Sequence, residues 1–118
     1  MGLFDKIKGA VMNAANDAKA VYEEAEAMDL ESLCAAMKEL KMIDPKLLAY
    51  RAALNVKCGA MSDQQLEEFY GWIKKQGNIL KRHPGQETVE NELVRRDMYI
   101  RDEETGTLSR NLSYRRNW

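Results

Sequence analysis

The first 28 residues constrain the fold most strongly, because their apolar side chains recur in alternating steps of three and four. The repeat consists of Phe4, Ile7, Val11, Ala14, Ala18, Val21, Ala25 and Met28. Such a heptad pattern keeps one face of an α-helix apolar along its whole length. It predicts an amphipathic helix over about residues 3–28, which would be roughly 37 Å long at 1.5 Å per residue.

The apolar face of this predicted helix suits three roles, and the sequence leaves all three open. Its central alanines allow close approach of a neighbouring helix, either in the core or from a partner protein or a second copy. The bulkiest side chains form a tip, which consists of Leu3, Phe4, Ile7 and Val11. Lys6 and Lys8 flank this tip, as expected of a helix that lies on a membrane surface. Six acidic residues between positions 17 and 31 disfavour contact with an anionic membrane beyond the tip.

Capping signals predict four further helices. Asp29 is expected to cap a helix over 30–42, and Asp44-Pro45 to start another that Gly59 ends. Ser62 begins a fourth helix with the spacing of a capping box, and a fifth runs from about 87 to 100 after the turn "RHPGQE". The predicted inward residues are Leu30, Leu33, Met37, Leu40, Leu47, Leu48, Leu54, Cys58, Leu66, Phe69, Tyr70, Ile73, Leu80, Val89, Leu93 and Tyr99 or Ile100. Gly77 falls on the fourth stripe and is expected to mark a close helix contact.

These elements predict an all-α fold, a five-helix bundle within a single domain over residues 1–104. The remaining residues, 105–118, form an arginine-rich C-terminal arm. The segment around Thr105-Gly106 fits either a short hairpin or an extended chain, and the sequence does not decide between them.

The sequence gives little indication of enzyme chemistry, so we predict no catalytic residue, no metal site and no cofactor. The one histidine, His83, lies beside a proline and is expected in a surface turn. Cys34 and Cys58 fall on apolar helix faces, where cysteine packs as a small hydrophobe. Glu87 and Glu90 could share a divalent ion, but acidic residues near a helix N-terminus are explained by the helix dipole.

The arm offers a nucleic-acid-binding alternative. From position 82 onward every basic residue is arginine, and the arm interleaves arginines with aromatic rings. The residues that would contact phosphates and bases are Arg110, Tyr114, Arg115, Arg116 and Trp118. Against this alternative, the net charge of the chain is −1, whereas nucleic-acid-binding domains are usually basic.

Two short stretches resemble a known family. "GLFDKIKGA" is similar to the opening of bacterial tellurite-resistance TerB proteins, and "CGAMSDQQLEEF" to the helix–turn–helix of the wider TerB-like family. Gly59 and Ser62 match the family pattern, whereas Cys58 replaces its Asp and Gln65 its Glu. The resemblance implies a helical stress-response module, with peripheral membrane association through residues 3–11 as an alternative. The sequence does not separate a bacterial origin from a phage or plasmid origin.

The sequence therefore predicts a small regulatory protein that binds another protein or a second copy of itself. The first-choice surface is the N-terminal tip, and the second is the face of the fourth helix around Trp72. The opening residues lack the continuous apolar region of a signal peptide, so a cytoplasmic location is expected, with the inner membrane face as an alternative.

Overall fold

The computed structural model describes residues 19–78 and 80–118, which are mostly helical and end in one β-hairpin. The helices are α1 (19–27), α2 (Leu30–Glu39), α3 (Pro45–Gly59), α4 (Asp63–Gln76) and α5 (Gln86–Arg95). Two antiparallel strands follow, β1 (Tyr99–Arg101) and β2 (Leu108–Arg110). The predominantly helical class is confirmed. The predicted long N-terminal helix lies outside the described residues except for 19–27.

The chain forms two compact units, Met1–Ala53 and Leu54–Trp118, and the boundary falls within α3. Among the described residues of the first unit, the buried apolar ones are Ala25, Leu33, Cys34, Met37, Leu47, Tyr50 and Ala53. In the second they are Leu54, Cys58, Leu66, Phe69, Tyr70, Ile73, Val89, Leu93 and Met98. Most of the predicted inward positions are thus confirmed.

The predicted helix starts are confirmed in atomic detail. Asp29 accepts a hydrogen bond from the backbone amide three residues later, at 2.7 Å, and Asp44 accepts one from the amide two residues later, at 2.9 Å. Ser62 and Gln65 form the reciprocal capping box, at 3.2 and 3.0 Å. Each side chain satisfies an amide that the first helical turn leaves without a partner.

Three predictions about α3 and the end of α4 are wrong. Leu48 is 75% exposed, because α3 turns Leu47, Tyr50 and Ala53 inward, and Leu48 follows one step of 100° later. Gly59 is the last residue of α3 rather than a residue beyond it. Leu80 is exposed, since α4 ends at Gln76, before the apolar stripe reaches it.

Gly77 does mark a close approach, but to a loop rather than to a helix. A Cβ atom at this position would lie 2.8 Å from the backbone nitrogen of His83 and 2.9 Å from the carbonyl oxygen of Lys81. Both neighbours are backbone atoms that cannot rotate away. Position 77 therefore requires glycine for the loop to follow α4 as it does.

The fifth helix is shorter than predicted, because it ends in a Schellman motif. Asp97 adopts a left-handed conformation with φ 63°, and its amide donates to the carbonyl of Val94 at 3.0 Å. The amide of Met98 donates to the carbonyl of Leu93, also at 3.0 Å. Leu93 and Met98 are fully buried, which supplies the apolar contact of this motif. The chain then enters β1, and Ile100 is exposed.

The hairpin alternative for the tail is confirmed. Tyr99 pairs with Arg110 and Arg101 with Leu108. The connecting turn is closed by Asp102, whose carbonyl accepts from the amide of Gly106 at 2.8 Å. Gly106 has φ 72°, the left-handed conformation that glycine adopts without strain.

Candidate partner-binding surfaces and the C-terminal arm

Trp72 presents an aromatic ring on the outer face of α4. Its side chain is 36% exposed and stacks on the buried ring of Phe69, with centroids 5.7 Å apart and planes 20° from parallel. The ring is thus supported from the core side and faces water on the other. A rigid, amphipathic tryptophan of this kind is a typical anchor at protein interfaces.

The other predicted partner-binding residues, Leu3, Phe4, Ile7 and Val11, lie outside the described residues. The part of the heptad repeat that the structure describes faces inward: Ala25 is fully buried, and Val21 and Met28 are half-buried. The opposite face of α1 is exposed and consists of Ala20, Glu23, Glu24 and Ala27.

A second apolar surface lies at the connection between α2 and α3, and sequence reasoning missed it. Met42, Ile43 and Leu48 are 60%, 90% and 75% exposed, and we call these three residues the α2–α3 corner. Ile43 and Leu48 are the N′ and N4 positions of α3, which often pack together and hide each other, but here both remain in water. Three lysines around the corner are also exposed: Lys38, Lys41 and Lys46.

The C-terminal arm is tied to α4 by side chains that sequence reasoning assigned to nucleic acid. The hydroxyl of Tyr114 donates a hydrogen bond to Asp63. Arg116 donates through Nε to both carboxylate oxygens of Glu67, at 3.0 and 3.2 Å, and through a terminal nitrogen to the carbonyl of Met98 at 2.8 Å. Arg110 also approaches Glu67, at 3.2 Å.

The five predicted nucleic-acid-binding residues therefore differ in their surroundings. Tyr114 and Arg116 are half-buried and hydrogen-bonded within the chain. Arg110 is mostly exposed but paired with an acid of α4, whereas Arg115 and Trp118 are exposed. Tyr114 and Arg116 thus both contact α4. Arg110 and Arg116 pair with Glu67, so much of the positive charge of the arm faces a carboxylate of the same chain.

Arg96 connects α5 to the residues around the start of α4. Its guanidinium donates to Glu92 at 2.8 Å, to Asp63 at 2.9 Å, and to the carbonyl oxygens of Cys58 and Gly59 at 3.0 and 3.3 Å. These contacts join positions that lie up to 38 residues apart in the sequence. Only the contact with Glu92 has the i,i+4 spacing of a helix, and no local pattern in the sequence pairs Arg96 with Asp63, Cys58 or Gly59.

The carboxylates of this network have lowered pKa values. Hydrogen bonds from Arg95, and next from Arg96, lower the pKa of Glu92 to about 2, against the opposing effect of burial. The hydroxyl of Tyr114, and next Arg96, hold the pKa of Asp63 below its usual value. Both groups are therefore ionised at neutral pH and act as hydrogen-bond acceptors.

A second polar cluster lies beneath the first turn of α5. The hydroxyl of Tyr70 donates to Glu90 at 2.9 Å, and Gln86 donates to the same oxygen at 3.3 Å. Burial, and next Glu90, raise the pKa of Tyr70. The prediction that His83 lies on the surface is wrong, because the residue is only 4% exposed. Its Nδ1 accepts a hydrogen bond from the amide of Gly85 at 2.9 Å, and this contact shapes the turn before α5.

The remaining predictions about reactive groups can be placed as well. Cys34 and Cys58 are buried, as predicted, and burial raises the pKa of Cys34 to about 11. Glu87 is exposed whereas Glu90 is buried, so the two do not form an open pair. Within 19–78 and 80–118, no group of three or more His, Cys, Asp or Glu side chains could hold a metal ion.

None of the helices in the described part of the chain is both long and apolar enough to cross a membrane. No protein-family model, curated protein or solved structure matches this chain, so the TerB-like resemblance stays a prediction.

Proposed function

We propose that this chain is a small helical module that binds another protein through exposed apolar side chains. The observation that carries the proposal is Trp72, whose ring stacks on the buried ring of Phe69 while the residue is 36% exposed. Fixing an aromatic ring before binding reduces the entropy lost on association. Truncation of such anchors usually removes a large share of binding energy.

The N-terminal tip, Leu3, Phe4, Ile7 and Val11, remains the first-choice surface of the proposal. A helix with this stripe would lay it in a groove or pair it with another stripe. A stress-response role is implied only by the TerB-like resemblance, and it is part of the proposal on that basis. A regulatory role in the cytoplasm is part of the proposal as the expectation drawn from the sequence. Peripheral membrane association through residues 3–11 is the alternative role of the same tip.

Nucleic-acid binding by the arm is the less favoured alternative. Tyr114 and Arg116 would have to leave Asp63 and Glu67 before they could contact a base or a phosphate. Binding by the arm would weaken steeply with salt and vanish on removal of residues 107–118.

The proposal is tested by placing a photo-crosslinking phenylalanine at position 72 and identifying the protein captured in a host-cell extract. The captured protein is then purified, and its affinity is measured by calorimetry. We expect Trp72→Ala to weaken binding by about 30-fold or more, as for an interface anchor. The matched control is Trp118→Ala, which truncates the other exposed tryptophan and should change affinity less than about threefold.

The N-terminal tip is tested with the same purified partner. Ile7→Asp combined with Val11→Asp should abolish binding if the tip is the main surface. Full affinity in both this variant and Trp72→Ala, with native circular dichroism, would rule out both surfaces and overturn the proposal.

A further inference from the structure

The α2–α3 corner combines two properties of an association surface. Its apolar side chains project into water, with Ile43 90% exposed at the tip of the turn. Exposed lysines accompany them, since Lys38, Lys41 and Lys46 belong to the same connection. This stretch also contains two acidic residues. Asp44 accepts a hydrogen bond at the N-terminus of α3, and Glu39 is exposed. The corner is therefore an apolar projection with a mainly basic border.

The outward face of α1 has the complementary character. Ala20, Glu23, Glu24 and Ala27 are spaced as i, i+3, i+4 and i+7, so they share one side of the helix, and all four are exposed. The alanines leave a shallow apolar floor, and Glu23 and Glu24 border it with negative charge, while the exposed Lys19 lies one turn before Glu23. A projecting apolar group with lysines around it fits such a floor in both shape and charge.

We propose that the occupant of the α2–α3 corner is a second copy of this chain, which presents the outward face of its α1. The corner of each copy would lie on α1 of the other. A dimer with one two-fold axis would therefore contain the same corner–α1 contact twice. Ile43 and Leu48 would cover the alanine floor, while Lys41 and Lys46 approach Glu23 and Glu24. The inference rests on the proposed function, because it names one partner of a protein-binding module, but it uses neither Trp72 nor the N-terminal tip.

Charge favours a second copy over a membrane as the occupant. An anionic bilayer that attracts the lysines of the corner would repel the glutamates exposed on α1 of the same unit. A second copy satisfies both sets of charges at once. Because the surfaces are small and their charges are exposed, the association should be weak, roughly micromolar or weaker, and should weaken further with salt.

The first test is the mass of the intact protein by sedimentation velocity, from about 5 to about 500 µM, concentrations that bracket a weak complex. We expect a monomer that converts to a dimer as concentration rises, and less dimer when ionic strength is increased. Ile43→Asp should weaken dimerisation at least tenfold. Leu112→Asp is the matched control, because Leu112 is equally exposed but lies in the second unit, and it should leave dimerisation unchanged.

The decisive test is a charge exchange. One variant carries Lys41→Glu and Lys46→Glu, and the other carries Glu23→Lys and Glu24→Lys. Each variant alone would face like charges at both contacts of the dimer and should remain monomeric. An equimolar mixture restores opposite charges at both contacts, so a mixed dimer should reappear. The substitutions lie at exposed helical positions or in the adjoining turn, and circular dichroism verifies that both variants fold.

Three outcomes would overturn the inference: a wild-type monomer at the highest concentration, dimers in each variant alone, or no dimer in the mixture. Wild-type protein that stays monomeric but binds vesicles containing phosphatidylserine through Ile43 would assign the corner to a membrane instead. A monomer that still binds a different protein through Trp72 would refute this inference while leaving the proposed function intact.

Discussion

Both units of this protein have an apolar core, and in the second unit a network of ion pairs and hydrogen bonds accompanies it. In the first unit, the described core is built from aliphatic side chains such as Leu33, Met37 and Leu47, which are almost fully buried. The second unit buries Leu66, Ile73 and Leu93 in the same way. In addition, ion pairs and hydrogen bonds connect its α4, α5, hairpin and arm, with Arg96 and Glu67 at their centres. The second unit thus adds directional polar pairing to the non-directional burial that both units share. The two should respond differently to mutation, salt and acid.

The largest expected effect is in the first unit. Leu33→Ala should lower the free energy of unfolding by about 3 kcal/mol, because it leaves a cavity at a fully buried position. Hydrogen exchange, followed peptide by peptide, would locate the loss of protection in this unit. Leu48→Ala is the matched control, since the same truncation at an exposed position should cost less than about 0.5 kcal/mol. The loss at Leu33 should be nearly independent of salt.

A smaller effect is expected in the second unit, where Arg96→Ala should lower the free energy of unfolding by about 2 kcal/mol. Breaking a buried ion pair usually costs more, but Arg95 would still pair with Glu92, and Asp63 is partly exposed. Arg95→Ala is the control: it also removes a partner of Glu92, but its side chain is exposed and its loss should change stability little. Equal losses of stability from the two substitutions would contradict the proposal that Arg96 connects α5 to the start of α4.

Acid should distinguish the units next. Since the pKa of Glu92 is lowered to about 2 in the folded state, its contribution is fully present above its unfolded value of 4.5 and is lost as pH falls toward 2. Asp63 acts in the same direction. Urea unfolding between pH 6 and pH 2, monitored by exchange in each unit, should show this loss in the second unit. Glu92→Gln should make the free energy of unfolding of the second unit less dependent on pH. An unchanged pH profile in that variant would refute the role of Glu92 in the acid sensitivity.

The smallest effect is expected at the Schellman motif. Asp97 occupies a left-handed conformation that disfavours side chains with a Cβ atom. Asp97→Gly should therefore raise the free energy of unfolding by roughly 0.5 kcal/mol, measured by urea titration. Gly106→Ala places a Cβ atom in the same conformation and should act in the opposite direction. If Asp97→Gly instead lowers the free energy of unfolding, the aspartate side chain stabilises the fold by more than its left-handed backbone destabilises it.

Features carried by neighbouring residues could be predicted from the sequence. The caps at Asp29 and Ser62 and the buried stripe of α4 depend on spacings of three or four residues, which a single sequence displays. The end of α5 was missed because the left-handed residue is an aspartate rather than a glycine. The contacts of Arg96 with Asp63 and of Arg116 with Glu67 were missed for a different reason, since these partners are 33 and 49 residues apart and no periodicity relates them.

The separation between the acids of α4 and their partners also has a consequence for biosynthesis. Tyr114 lies 51 residues after Asp63, and Arg116 lies 49 residues after Glu67. At roughly 5 to 20 residues per second, a ribosome needs about 3 to 10 seconds to add that length. During this interval the two carboxylates of α4 lack these partners. The second unit therefore acquires its last contacts only after the arm has been translated.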